Sequence, residues 1–231
     1  MKIAIIVAMD KELRLLLPLL ADKSERDINT YRIYEGRIGS NQVIIMKSGI
    51  GKVNASLASA ALIDNLRPDL VINSGVAGGI SSDTHPLDVV VGRSTAYHDV
   101  WCGPGTIPGQ AHGCPLLFAA PSRILSMEAL KETSEPSGRV LHGTIASGDI
   151  FISKCEEVKH IKSLFPGALA ADMESAAIAQ TCYLKGIDFI AIRVISDTPG
   201  SDDNITQYND FWEKAPEQTF VILQHLLNEL N

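Results

Sequence analysis

The sequence predicts an α/β protein: one domain in which a mixed central sheet is packed between helices. Three observations carry this reading. Short β-branched runs recur along the chain, helical runs separate most of them, and one pair of runs is joined by a tight turn. A helical crossover returns the chain for a parallel strand, whereas a short turn makes an antiparallel pair, so the two connection types together give a mixed sheet. With 231 residues, 45% of them hydrophobic and 20% charged, the chain can bury a full core and lies far from the composition of disordered chains.

The elements follow in order. A first strand is expected at 2–8 (KIAIIVA) and a helix at 10–20, where Pro18 would kink or end it. TYRIYEGRIG and the strand at 42–48 alternate on either side of the turn Gly39-Ser40-Asn41 and read as a hairpin. An alanine-rich helix at 53–66 leads to strands at 69–75 and 88–92. Residues 99–113, DVWCGPGTIPGQAHG, crowd glycine and proline and read as a long loop, which in a compact domain is usually functional or mobile. A helix at 122–133, a strand at 140–147, helices at 155–164 and 174–185, and a strand at 188–196 complete the alternation. The last helix, 207–229, places Phe211, Trp212, Phe220, Leu223 and Leu227 at mostly helical spacing.

Composition narrows the partners. A formal net charge of −7 without a basic stripe excludes a nucleic-acid polymer and leaves a small molecule. The opening MKIAIIVAMDKE is too short and too soon charged for a secretory signal, and no run reaches membrane-spanning length, so a cytoplasmic protein without membrane contact is expected. Cys102, Cys114, Cys155 and Cys182 are widely spaced and form no C-x-x-C pair, which predicts reduced thiols and no metal site.

In open α/β sheets ligands bind beyond the carboxyl ends of the strands. Five stretches lie there: Met9 to Glu12, Asn73 to Gly79, Gly148 to Ile152, Ala171 to Gln180, and Ser196-Asp197. Arg193, inside an apolar strand, requires a carboxylate beside it, and Glu174, Asp172 or Glu12 could supply one. That pairing reads as part of a site, with a structural ion-pair network as the alternative. Glu174, at the start of an alanine-rich helix, should stay ionised there and could accept from paired hydroxyls or cap the helix. Asp197 precedes the turn-rich Thr198 to Asp203 and could be an Asx-turn residue. Phe151 could be core or a platform for a base. The glycines of GVAGG and SGIGK match neither a P-loop nor a full G-x-G-x-x-G, which disfavours ATP and dinucleotides.

Taken in order, KIAIIVAMDKE, SGIGKVNA, NSGVAGG, ASGDIFI, ADMESAAIA and IRVISD resemble the 5'-methylthioadenosine/S-adenosylhomocysteine nucleosidase family of the purine nucleoside phosphorylase superfamily. The resemblance implies a three-layer αβα fold, a homodimer, an adenine nucleoside as substrate, and no metal or cofactor. It implies that Glu12 activates the attacking water and that Asp197 protonates adenine N7. Glu174 would hold the ribose hydroxyls with Met173 against the sugar, and Arg193 would position the water and Glu174. Phe151 would stack on the base while the backbone of Ile152 reads its edge. Met9, Val76, Ala77, Gly78, Asp172, Ser196 and Tyr208 would complete the substrate site. Catalysis would require Asp197 protonated near neutral pH through burial and neighbouring anions, and Glu12 kept ionised by Arg193.

Three features depart from the family pattern. Val76 stands where a serine or threonine is common, Trp101 and Ile107 are the large candidates in the loop that in relatives supplies an aromatic to the partner's 5' pocket, and Tyr208 matches a phenylalanine. Hydrolysis of an adenine nucleoside therefore stands beside two alternatives, phosphorolysis on the same fold and a weakly active nucleoside-binding homologue.

Overall fold

A computed structural model describes residues 1–133, 139–214 and 221–230. The chain runs β1 (Lys2–Val7), α1 (Asp10–Leu16), β2 (Ala21–Ile28), β3 (Tyr31–Ile38), β4 (Asn41–Lys47), α2 (Lys52–Leu66), β5 (Leu70–Gly79) and β6 (Val89–Tyr97). It continues with β7 (Phe118–Ala119), α3 (Ser122–Leu125), β8 (Val140–Ser147), α4 (Cys155–Leu164), β9 (Ala168–Asp172), α5 (Ser175–Lys185), β10 (Asp188–Asp197), α6 (Asn204–Lys214) and α7 (Val221–Glu229).

The strands form one mixed sheet in the order β10-β6-β8-β9-β5-β1-β4-β3-β2, and β10 returns to pair with β5 as well. Strand β5 makes this closure possible because its ten residues serve three neighbours. Its first half lies parallel to both β1 and β10, and its last two residues, Gly78 and Gly79, pair antiparallel with Ala171 and Ala170 of β9. Five strands thereby close into a ring at one end of the sheet, and candidate residues follow the carboxyl ends of β5, β8, β9 and β10 in the ring and of β1 beside it.

Alternation along β1 builds the layers. Ile3, Ile5 and Val7 face a core shared with Leu13, Leu16, Phe211, Leu223 and Leu227, while Ala4 and Ile6 face a second core with Ala55, Ala58, Leu62, Ala176 and Ala179. Burying each aliphatic side chain contributes about 1.5–3 kcal/mol. The alanines of α2 and α5 let these two helices lie close to each other and to the strands beneath them. The result is the expected three-layer αβα architecture.

Several elements differ from the sequence expectations, and the strand expected at 88–92 runs on to Tyr97. Strand β2, ADKSERDI, has exposed residues everywhere but Ile28 and so carries no apolar pattern; it pairs with β3 at the sheet edge, braced by ion pairs Arg26–Glu35 at 2.7 Å and Arg32–Asp27 at 2.5 Å. Strand β9, ALAAD, is too short and alanine-rich to read as a strand, and it is held by β8 and β5 on either side. The first helix stops at Leu16 because Pro18 sits in a 3₁₀ turn, and the expected helix at 122–133 is one short turn followed by another 3₁₀ turn at Glu128–Leu130. The final helix begins earlier, at Asn204, and is described as α6 and α7; Phe220 lies outside the described residues.

Asn41, fully buried at the start of β4, ties the sheet to α7. Its side-chain amide donates to the carbonyls of Leu227, at 2.9 Å, and Leu230, and its oxygen accepts from the Met1 amino group at 2.8 Å. Asn41→Ala leaves these groups buried without a partner, so it should lower unfolding free energy by about 1–3 kcal/mol in urea denaturation while hardly changing ligand affinity.

Candidate active site

Glu12 folds back over the start of its own helix. Its Oε2 accepts from the backbone N–H groups of Ala8 and Met9, both at 2.9 Å, and its Oε1 from that of Val76 at 3.1 Å. The carboxylate is thereby joined to the ends of β1 and β5. Next to it, Gly75 is required by close approach: a β-carbon there would overlap both Glu12 Oε1 and Arg193 Nη1.

Arg193 on β10 is fully buried. Its Nη2 pairs with Asp172 at 2.5 Å and Glu174 at 3.5 Å, and also reaches Asn73 Oδ1 at 2.5 Å and Ser175 Oγ at 3.2 Å. Glu174 precedes α5 but does not cap it; its Oε1 accepts from the N–H of Gly51 at 3.0 Å, and the first amide of the helix, Ser175 N, goes to Asp172 at 3.3 Å. Asp197, at the end of β10, accepts from the hydroxyl of Ser196 at 2.5 Å and from the side-chain amide of Asn204.

These residues surround one cavity of about 620 Å³. Every residue predicted for the site lines it except Arg193, which stands behind the wall. Met9, Glu12, Val76, Ala77 and Gly78 come from the β1 and β5 ends; Phe151 and Ile152 follow β8; Asp172, Met173 and Glu174 join β9 to α5; Ser196 and Asp197 end β10; and Tyr208 comes from α6. Phe151 is half-exposed and meets the Tyr208 ring edge-on at 5.6 Å, and the Tyr208 hydroxyl points to Met9 Sδ at 3.5 Å. Val76 contributes its side chain to the lining and its amide to Glu12. Trp101 and Ile107 are exposed and do not line the cavity of their own chain.

Sequence reasoning missed several participants. Asn204 sits in an unremarked polar run, SDDNITQ, and only the fold carries it back to Asp197. Asn73 and Ser175 lie within the stretches singled out beyond the strand ends but, like Ser147, carried no assigned role; a small polar residue inside an apolar element was the available signal, and all three are buried beside Arg193 or Asp172. The glycines of SGIGK did predict close backbone approach, and Gly51 makes one to Glu174.

The ionisation states correct two expectations. Burial pushes Glu12 above the usual carboxylate range, outweighing the charge of Arg193 and the backbone donors that act in the opposite direction. Burial likewise pushes Glu174 up to about 7 despite Arg193, with Asp172 and Glu12 adding to the rise, so its place before a helix does not hold it at a normal value. Asp197 is raised as anticipated, by burial rather than by neighbouring anions, and its two side-chain donors oppose the shift.

The ring-closed sheet and this acid-lined pocket define a member of the phosphorylase superfamily, whose sequence profile matches residues 2–228. Within that superfamily the chain belongs to the 5'-methylthioadenosine/S-adenosylhomocysteine nucleosidase family. A nucleosidase of that name from Actinobacillus succinogenes is 36% identical over the full length of both chains, and one from an Exiguobacterium species is 40% identical over 93% of this chain and 92% of its own. Among solved structures, the S-adenosylhomocysteine nucleosidase of Streptococcus pyogenes in complex with 5-methylthiotubericidin has a TM-score of 0.93 at 35% identity, covering 100% of this chain and 98% of its own. The Colwellia psychrerythraea nucleosidase in complex with adenine has a TM-score of 0.92 at 33% identity, covering 100% and 96%.

A carboxyl whose folded-state pKa is raised contributes stability below its unfolded pKa, and loses it as pH rises through the folded value. Asp197→Asn removes that loss. The melting temperature of the variant relative to the parent should therefore climb as pH rises from the ordinary aspartate value of 3.8 through neutrality, as calorimetry at matched ionic strength would show. A difference that stays flat across that range would contradict the raised value.

Proposed function

We propose that this chain hydrolyses the N-glycosidic bond of 5'-methylthioadenosine and S-adenosylhomocysteine, with 5'-deoxyadenosine as a further candidate, releasing adenine and the 5'-substituted ribose. One observation carries the choice of water over phosphate: the cavity is lined by Glu12, Asp172, Glu174 and Asp197 and, among the described residues, by no lysine, arginine or histidine. Arg193, behind the wall, is already matched by Asp172 and Glu174. A phosphate co-substrate needs converging cationic or N–H donors, and among the described residues it would find no free cation to hold it.

Cleavage builds positive charge on the ribosyl ring and negative charge on the departing base, so groups placed at both ends act in the transition state rather than on the ground state. Asp197, kept protonated by burial, donates to adenine N7. Glu12 holds a water and takes its proton as it attacks the anomeric carbon, a task for which a raised pKa makes a better base. Arg193 Nη1 helps orient that water. Glu174 accepts from the ribose hydroxyls, and Met173 packs on the sugar. Phe151 stacks on the base and Ile152 reads its edge through the backbone, while Met9, Val76, Ala77, Gly78, Ser196 and Tyr208 shape the remaining walls. No cofactor enters this scheme.

The chain works as a homodimer in this reading. Val53 and Leu57 project exposed from one side of α2, with Ile50 beside them and Trp101 and Ile107 exposed on the loop before β7, a set of apolar residues that a second copy would cover. No helix among the described residues is long and apolar enough to cross a membrane. A cytoplasmic location suits a small nucleoside substrate and free thiols.

Incubation with 5'-methylthioadenosine should release adenine at the same rate with and without phosphate, followed by chromatography. Strict dependence on phosphate would favour phosphorolysis, and tight binding without release would favour a binding protein. Glu12→Gln should lower kcat about a hundredfold to ten-thousandfold while the protein still binds adenine.

A further inference from the structure

Asp172 lines the cavity, yet its oxygens are taken up by the protein. Oδ1 accepts from the hydroxyl of Ser147, Oδ2 accepts from the hydroxyl of Ser175 and pairs with Arg193 Nη2 at 2.5 Å, and both lie 3.3 Å from the N–H of Ser175. Its side chain is 1% exposed. Asn73 Oδ1 shares the same nitrogen of Arg193 and is itself fixed, lying 3.0 Å from Ser175 Oγ while its amide donates to the Ile6 carbonyl at 2.9 Å. Asp172, Asn73, Ser175 and Glu174 thus converge on Nη2, whereas the buried Nη1 and Nε atoms have no hydrogen-bond partner among the described residues. Nη1 lies over Gly75 together with Glu12 Oε1, but the ion pairs of Arg193 are with Asp172 and Glu174.

We propose that Asp172 is a positioning residue: with Asn73 it pins Nη2 of Arg193, which turns Nη1 toward Glu12 while keeping the guanidinium from closing onto that carboxylate as a full ion pair. The proposal rests on the hydrolase reading above and deepens it. Glu12 needs a neighbour that can orient a water but must not be neutralised by it, because a tightly paired carboxylate is a weaker base. Asp172 meets both needs by taking the larger share of the charge of Arg193.

The ionisable groups around this cluster fix the sign of the test. Arg193 faces Asp172, Glu174 and Glu12; the charge of Asp172 also reaches His98, which burial pushes below its ordinary value and so leaves neutral at neutral pH; Tyr208 faces Glu12, Glu174 and Asp197. Asp172→Asn keeps the shape and removes the charge that holds Nη2. The guanidinium then favours the ionised forms of Glu12 and Glu174, lowering both. A carboxylate base works when ionised, so the acid limb of the kcat/KM profile should move to lower pH, by about one unit, the size expected for a freed opposite charge at close range. At neutral pH kcat should fall about tenfold as the base weakens.

An acid limb that stays in place in a folded Asp172→Asn protein would overturn the proposal. Should that variant lack a cooperative melt, Ser175→Ala decides, since it keeps the charge of Asp172 and removes one bond to Nη2. It should lose several-fold in kcat with the acid limb unmoved, and a wild-type kcat would overturn the proposal. Adenine release by the parent enzyme is the control: its failure would sink the hydrolase reading and this proposal together, whereas an unmoved limb sinks this proposal alone.

Discussion

The structure turns on one fully buried guanidinium. Taking Arg193 out of water costs several kcal/mol, and the cost is met only because Asp172, Glu174, Asn73 and Ser175 reach the same nitrogen from three different elements. Removing one partner from such a cluster typically costs about 3–5 kcal/mol, since the remaining charge is stranded. That constraint fixes β5, β9, α5 and β10 relative to one another more sharply than apolar packing could, because ion pairs and hydrogen bonds have direction where hydrophobic contact has little.

The closed ring of strands makes this convergence possible. In an open sheet β9 and β10 would sit far from each other, but here β5 pairs with both, and Gly78 and Gly79 carry the turn of the strand from β1 toward β9. Gly75 then admits Glu12 and Arg193 into space that any side chain would fill. The alanines of α5 act on the same problem from outside the sheet, letting the helix sit low enough for the residues at its start to reach the ends of the strands.

Much of this was legible in the sequence. An arginine in an apolar strand announces a buried acid, and the strand ends named where the pocket would be; both readings need only periodicity and the cost of burying charge. The edge strand β2 was invisible because its residues face water and its formation depends on the partner β3. Strand β9 was hidden by alanines that suit either state. The ionisation of Glu12 and Glu174 could not be read from neighbouring sequence, because the depth of burial that dominates both is a property of the assembled fold. Asn204 escaped for a related reason: its contact with Asp197 depends on where α6 begins, and no local pattern records that.

The all-acid lining also acts as a filter among adenine-containing molecules. Mononucleotides and nucleotide cofactors carry the same base and sugar as a nucleoside but bring anionic phosphoryl groups with them. A pocket whose described ionisable lining is carboxyl and tyrosine offers such phosphoryl groups no cation to replace their lost hydration, which favours the uncharged nucleoside over them without any residue devoted to recognising them.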